Sequence, residues 1–327
     1  MSADQTAPLP VIIDTDPGLD DALAILVALA SPEFAVEGIV TVAGNLGLDV
    51  TTRNALRVLA LCGRTDIPVV VGAEMPLERL PINAASIHGD DGLGGVAFPE
   101  TVVAPLAVDP VAWTAERIAA HPPGALHMLA LGPMTNLARL IRERPDAARR
   151  LGGIVAMGGA VRDRGNITPF AEFNIAADPE AADVVLRAGL PLTLVPLDVT
   201  RRVGADGEWA RRLAEAGGPV AAMAAQCVTA YIANIIAHSA KMRPNDPQEM
   251  PLCPLHDPCV MIFRARPDLF SRERLAIRVV TDRSPADGAT VIDAANGTLV
   301  DVLTGVNSQG ALEWVAGRLG TAARLAR

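Results

Sequence analysis

The sequence predicts an α/β fold built on one open, mostly parallel sheet flanked by helices, with its active site at the C-terminal ends of the strands. Short runs rich in Val, Ile and Leu alternate with amphipathic stretches of helical length, which is the pattern of repeated βα units. The alternation continues across the middle of the 327 residues without a low-complexity linker or an internal repeat, so a single domain spanning 1–327 is expected. Half of the residues are hydrophobic and only 20% are charged, which allows a large buried core.

The elements follow in order. Residues 11–14 form the first strand and 20–31 the next helix, which Pro32 ends because proline cannot continue the backbone ladder. Residues 36–42, 69–72, 126–131, 153–157 and 192–197 read as further strands. Helices are expected over 110–121, 135–142 and 179–188. The tail adds short strands at 275–280, 291–293 and 300–303, which extend or flank the sheet, and a last helix near 309–319. Two segments, 73–106 and 158–178, are long, irregular and rich in glycine or polar residues; loops of that length inside compact domains usually carry function.

Composition also excludes. The longest unbroken apolar run, 22–30, is far shorter than the roughly 20 residues that cross a bilayer, and the first ten residues lack a basic start and an apolar signal core. No membrane partner and a cytoplasmic location are therefore expected. Four cysteines in a chain this long do not make a disulfide framework. A net charge of −9 opposes binding to phosphate backbones, so nucleic acid is not an expected partner.

In open parallel sheets ligands bind beyond the carboxyl ends of the strands, so chemistry is sought just after each one. The first strand ends in Asp14-Thr15-Asp16-Pro17-Gly18-Leu19-Asp20-Asp21, four carboxylates in eight residues. Such density repels itself unless a cation neutralises it. Helix capping in a solvated acidic turn is the plainer alternative. Asn45 follows the second strand in VAGN, where a turn role competes with ligand binding. Leu131-Gly132-Pro133-Met134-Thr135-Asn136 follows the fourth; Pro133 has no N–H, which leaves the Leu131 carbonyl open to a metal, while Thr135 capping a helix is the alternative.

After the fifth strand come Gly158-Gly159, Asn166 and Glu172-Phe173-Asn174, polar groups in what could equally be a solvated loop. His88 sits mid-loop in HGDDGLGG, which reads as a lid or a turn-rich surface segment. Late in the chain, His256-Asp257-Pro258 sets a histidine beside a carboxylate. Asp257 as a helix cap ahead of Pro258 is one alternative; Cys253, His256 and Cys259 as zinc ligands, without an evident fourth, is another.

Taken together, DTDPGLDDA, VAGN, HGDDGLG, LGPMTN, MGG, EFN and PLHDPC resemble, in their order from Asp14 to Cys259, the nucleoside hydrolases of the inosine-uridine preferring family. The resemblance covers most of the chain and implies a Rossmann-like fold and hydrolysis of the N-glycosidic bond of ribonucleosides, pyrimidine or inosine, to ribose and free base. It implies one Ca2+ held by Asp16, Asp21, Asp257 and the Leu131 carbonyl, all hard oxygen donors. Asp16 would also be the general base toward the attacking water. Asp20, Asn45, Asn166, Glu172 and Asn174 match residues that grip the ribose, and His88 matches a base-pocket histidine. His256 matches the acid that protonates the leaving base, a task suited to an imidazole pKa of about 6.5.

The resemblance further implies a homodimer or homotetramer acting in purine and pyrimidine salvage. Residues 221–239, which carry the only tyrosine, Tyr231, and residues 241–253 match no family motif, so the base contacts there are open. Purine-specific members stack the base between tryptophans, yet Trp113, Trp209 and Trp314 fall outside the expected site loops, which leans toward pyrimidine or mixed preference. Two rivals remain at this point: an aspartyl phosphatase using Asp14 and Asp16, and a non-catalytic calcium-dependent nucleoside-binding module.

Overall fold

The computed structural model describes residues 7–242 and 252–322. Its strands are β1 (Leu9–Thr15), β2 (Phe34–Thr41), β3 (Val69–Val70), β4 (His127–Ala130), β5 (Gly153–Met157), β6 (Leu192–Val195), β7 (Gly204–Ala205), β8 (Cys253–Pro254), β9 (Phe270–Val279), β10 (Thr290–Ile292) and β11 (Thr298–Val306). Nine of them form one sheet in the order β10-β9-β11-β6-β5-β4-β1-β2-β3. From β11 to β3 every neighbouring pair is parallel, and β9 and β10 close the other edge as antiparallel additions. The α/β reading of the sequence holds, and the tail strands do extend the sheet. They are longer than expected at β9 and β11, where the exposed run 271–274 in β9 and the half-buried Asp301 and Thr304 in β11 dilute the apolar signal.

Strand alternation feeds two cores. Val11 and Ile13 of β1 pack on one face with the Leu19–Leu29, Pro219–Met242 and Pro258–Ala265 helices, while Ile12 packs on the other with the Pro110–Ala120, Thr135–Glu143 and Pro179–Arg187 helices. The Leu19–Leu29 helix is buried on all sides, so its apolar run was a core helix between sheet and outer helices.

Two differences from the sequence reading matter. A helix at Leu48–Leu61 was not anticipated, because Thr51, Thr52 and Asn54 interrupt its apolar periodicity; those three are buried and hydrogen-bonded instead. Second, Pro219–Ser239 is long and apolar enough to cross a membrane by length and composition, although Gln226, Thr229 and Asn234 break its apolar run. In this fold it lies on the Leu19–Leu29 and Gly207–Glu215 helices, with only part of its surface buried. The remainder of the 241–253 stretch whose base contacts were left open, 243–251, lies outside the described residues.

Chain direction sets the site. From β1 the chain runs to β2 and β3 on one side, then crosses back to add β4 on the other. The strand order therefore reverses between β1 and β4, and connections leaving there in opposite directions open a crevice beyond the strand ends. Asp14 to Asp21 and Leu131 lie at its floor.

Candidate active site

At the end of β1 all four carboxylates are buried: Asp14 is 2% exposed, Asp16 1%, Asp20 5% and Asp21 0%. This excludes the solvated acidic turn. Capping does occur, but through one residue, since Asp21 accepts from the Gly18 N–H at 3.0 Å at the start of its helix. Its other bonds, from Thr15 Oγ1 at 2.6 Å, the Asp16 N–H at 3.3 Å and Asn45 Nδ2 at 3.0 Å, fix the carboxylate on both sides. Asp16 is held by the Asn45 N–H, which donates to Oδ2 at 2.7 Å, while Oδ1 is buried with no partner among the described residues. Gly44 and Gly132 flank that carboxylate so closely that an added Cβ would meet its oxygens at 2.1 and 2.4 Å.

Across the crevice Asp257 joins Asp20 and Asp21, one carboxylate oxygen from each lying within 4.8 Å of the others. Asp257 precedes the Pro258–Ala265 helix and makes no side-chain cap, so its capping alternative fails and its carboxylate is left to the cluster. Burial first, then mutual repulsion, pushes the carboxyl groups of Asp16, Asp20 and Asp257 well above the usual range. A cation would relieve both costs, and the orphaned Asp16 Oδ1 is a hard donor of the kind calcium takes. The zinc alternative finds no such support: Cys253 and Cys259 are buried among apolar side chains, where burial pushes their thiols up rather than toward thiolate.

The Leu131 carbonyl is not open as expected. Asn174 Nδ2 donates to it at 2.5 Å and to the Met157 carbonyl at 3.3 Å. Thr135 does not cap its helix either; its hydroxyl donates to Asp178 Oδ2 at 2.7 Å. Asn45 spends its amide N–H groups on Asp21 and the Asp16 carbonyl, so it first organises the carboxylates. Glu172 caps the Phe173–Ala177 helix through the N–H groups of Asn174 and Ile175, and also accepts from Gly159. Asn166 Oδ1 accepts from the Phe173 N–H at 2.8 Å. The 158–178 segment is thus a cross-braced loop.

Above the carboxylates opens a cavity of about 520 Å³, lined by Asp20, Asn45, His88, Leu131, Asn166, Glu172, Asn174, His256 and Asp257 among others. It brings together nine of the eleven expected site residues and a stretch of helix that sequence motifs did not reach, through Tyr231, Ile235 and His238. Asp16 and Asp21 lie beneath this surface, bonded to its lining residue Asn45. His88 is neither lid nor surface: it is 5% exposed, packs edge-on against Tyr231 at 5.7 Å, and its Nδ1 accepts from the Leu19 N–H at 3.1 Å. Burial lowers its pKa to about 4. His256 Nδ1 meets Thr200 Oγ1 at 2.7 Å, and burial, with Arg201 and His88 nearby, lowers its pKa to about 3. It does not keep the ordinary imidazole value on which the sequence reading relied.

Several residues that shape the site carried no motif. Arg79, in the 73–88 segment that leads to His88, pairs with Glu180 and Asp287, and Asp178 also accepts from the Leu77 N–H. Asp198 and Thr200, just past β6, hold Val161, Arg162 and His256. Their position immediately after a parallel strand was the available signal.

Fold and site together define an α/β enzyme with a buried carboxylate centre at the switch point of its sheet. The chain belongs to the inosine-uridine preferring nucleoside hydrolase family, whose model matches residues 11–313. It is 38% identical over 315 residues to the pyrimidine-specific ribonucleoside hydrolase RihA of Citrobacter koseri, covering 95% of this chain and 98% of that one. Among solved structures it is similar to a plant nucleoside hydrolase (TM-score 0.86, 31% identity, 96% of this chain and 99% of that one). It is also similar to a purine-preferring ribonucleoside hydrolase from Gardnerella vaginalis (TM-score 0.87, 28% identity, with the same coverage). The activity is hydrolysis of the ribonucleoside N-glycosidic bond, and the phosphatase and non-catalytic alternatives fall away.

Proposed function

We propose that this hydrolase is calcium-dependent and acts on pyrimidine ribonucleosides in preference to purine ones, with Asp16 as general base and His256 as proton donor to the leaving base. The observation that carries the reading is the buried, partnerless Asp16 Oδ1 beside the Asp20, Asp21 and Asp257 cluster. Asp16, Asp21, Asp257 and the Leu131 carbonyl would hold the ion; Asp20, nearest to Asp21 and Asp257, is placed to share it or to take a ribose hydroxyl. The Leu131 carbonyl joins the set only if Asn174 yields it. When bound, calcium would supply positive charge that makes a nearby water more acidic.

Asp16, fixed through Oδ2 by Asn45 and flanked by Gly44 and Gly132, would use Oδ1 both toward the ion and to accept a proton from the attacking water. Asn166, Glu172 and Asn174, braced by main-chain bonds, orient the sugar and favour the positive charge that develops at its anomeric carbon. His256 rests as neutral imidazole near neutral pH. Negative charge developing on the departing base strengthens its hydrogen bond from the imidazole and raises the imidazole's own affinity for a second proton, taken up from solvent, so that the base is protonated without leaving an imidazolate. Pyrimidine preference is supported by the pyrimidine-specific relatives and by a cavity wall that carries His88, Tyr231 and His238 but, among the described residues, no tryptophan.

Cytoplasmic salvage, a single-domain homodimer or homotetramer, and the absence of nucleic-acid partners belong to the same proposal. A panel of uridine, cytidine, inosine and adenosine assayed for free ribose tests it; adenosine as the best substrate would reverse the base preference.

A further inference from the structure

We infer that Thr200 is the positioning residue that sets the tautomer of His256, presenting its Nε2–H to the leaving base. Thr200 is fully buried at the end of the Leu197–Thr200 helix, which starts when Pro196 stops β6. Its Oγ1 lies 2.7 Å from His256 Nδ1. Either atom could be the donor in isolation, but the hydroxyl proton has no other acceptor among the described residues. It therefore points at Nδ1, which must be an unprotonated acceptor. A neutral imidazole then carries its one proton on Nε2.

The contact is built into the backbone. The segment after Thr200 pairs with the segment before His256, with Gly204 opposite Pro254 and Ala205 opposite Cys253 in the β7–β8 ribbon. Leu255 continues the pairing by donating to the Val203 carbonyl at 2.8 Å. The hydroxyl and the imidazole are thus tethered at fixed separation.

His88 shows the same device in unambiguous form, because the Leu19 N–H that meets its Nδ1 can only donate. Two of the three cavity histidines, His88 and His256, are thus held as Nε2–H donors, one by main chain and one by Thr200. A base whose carbonyl oxygen or ring nitrogen gains negative charge as it leaves is what two such donors complement. In the opposite tautomer His256 would offer a lone pair and repel that charge.

The inference rests on the acid role of His256, and its test separates the two. Thr200→Val keeps the shape and removes the hydroxyl; Thr200→Ser restores it. With uridine, Thr200→Val should lower kcat roughly tenfold or more with little change in KM, and Thr200→Ser should recover most of it. A nitrophenyl riboside, whose leaving group needs little protonation, should be cleaved by both variants at near wild-type rate, which also controls for folding. In histidine-selective 15N spectra near neutral pH, His256 should read as the Nε2–H tautomer in wild type and Thr200→Ser, and shift toward Nδ1–H in Thr200→Val. Unchanged uridine turnover in Thr200→Val, or an unchanged tautomer, would overturn the inference. If His256→Ala slowed both substrates equally, the acid role would fail while the spectra still decided the tautomer.

Discussion

The Asn45 N–H donates to Asp16 Oδ2 at 2.7 Å, while Oδ1 of the same carboxylate is buried and bonds to nothing among the described residues. One loop thus holds the base candidate rigidly by one oxygen and leaves the other without a hydrogen bond among the described residues. Burial of an unpaired carboxylate is costly unless it is protonated or faces a cation, and four neighbouring aspartates multiply the cost. The cluster could hold an ion, which would offset that cost.

Calcium should therefore stabilise as well as activate. At a hundredfold excess over its Kd a ligand that binds only the folded state adds about 2.7 kcal/mol. Thermal melting with EGTA and then with calcium should show a Tm rise of several degrees, and turnover lost to EGTA should return. Protein purified without added metal that held zinc and no calcium would overturn the ion assignment.

Asp16→Asn should lower turnover by a few orders of magnitude, because it removes the base and a charged ligand together. Asp14→Asn should cost much less, since Asp14 faces Asn136 at 3.4 Å behind the cluster. Steady-state kinetics of the two variants, with calcium content measured, decide this. Retained activity in Asp16→Asn would remove it from the mechanism.

Asp14 also gives a pH signature. Burial raises its pKa to about 7 from an ordinary 3.8, so it is protonated in the fold where the unfolded chain is ionised. Its contribution is fully present below about 3.8 and is lost as pH rises through about 7. The buried histidines, whose pKa values are depressed, act in the opposite sense over part of this window, so the comparison must be with a variant. Asp14→Asn in EGTA should gain stability relative to wild type as pH climbs from 4 to 7, then hold level. A pH-independent difference in denaturant midpoints would contradict the buried protonated carboxyl.

The acidic turn, the HDP segment and the polar loops were legible in the sequence because their chemistry is local: dense carboxylates and glycine-flanked amides are unusual wherever they fall. Strand alternation made the sheet legible for the same reason. What stayed hidden depends on contacts across the chain. Thr200 is an ordinary helix-end threonine until the β7–β8 ribbon brings it to His256. Nothing adjacent to Leu131 announces that Asn174, in the short helix that follows the loop after β5, occupies its carbonyl. The depressed pKa of His256 likewise comes from burial and from Arg201, neither visible in HDP.

2′-Deoxynucleosides should be much poorer substrates. Asp20, Asn166, Glu172 and Asn174 crowd the cavity floor with polar atoms, and a site made to bond a hydroxyl leaves those atoms unpaired when it is missing. Losing one such contact costs roughly 1–3 kcal/mol, or about 5- to 150-fold in kcat/KM. Comparable constants for uridine and deoxyuridine would remove these residues from sugar binding.

His256→Ala should separate leaving-group protonation from support of the carboxylates. A pyrimidine anion leaves poorly unless its charge is neutralised, so a placed proton donor contributes roughly 10²–10⁴-fold to that step. Uridine cleavage should fall by that factor. Nitrophenyl riboside cleavage should survive, because that leaving group stabilises its own charge. Asp257→Asn should behave differently and depress both substrates together, since Asp257 belongs to the carboxylate cluster with Asp20 and Asp21 and makes no helix cap that would explain its burial otherwise. Measuring both substrates on the same samples removes folding and concentration from the comparison. Equal loss of both activities in His256→Ala would assign the imidazole to holding Asp257 in place.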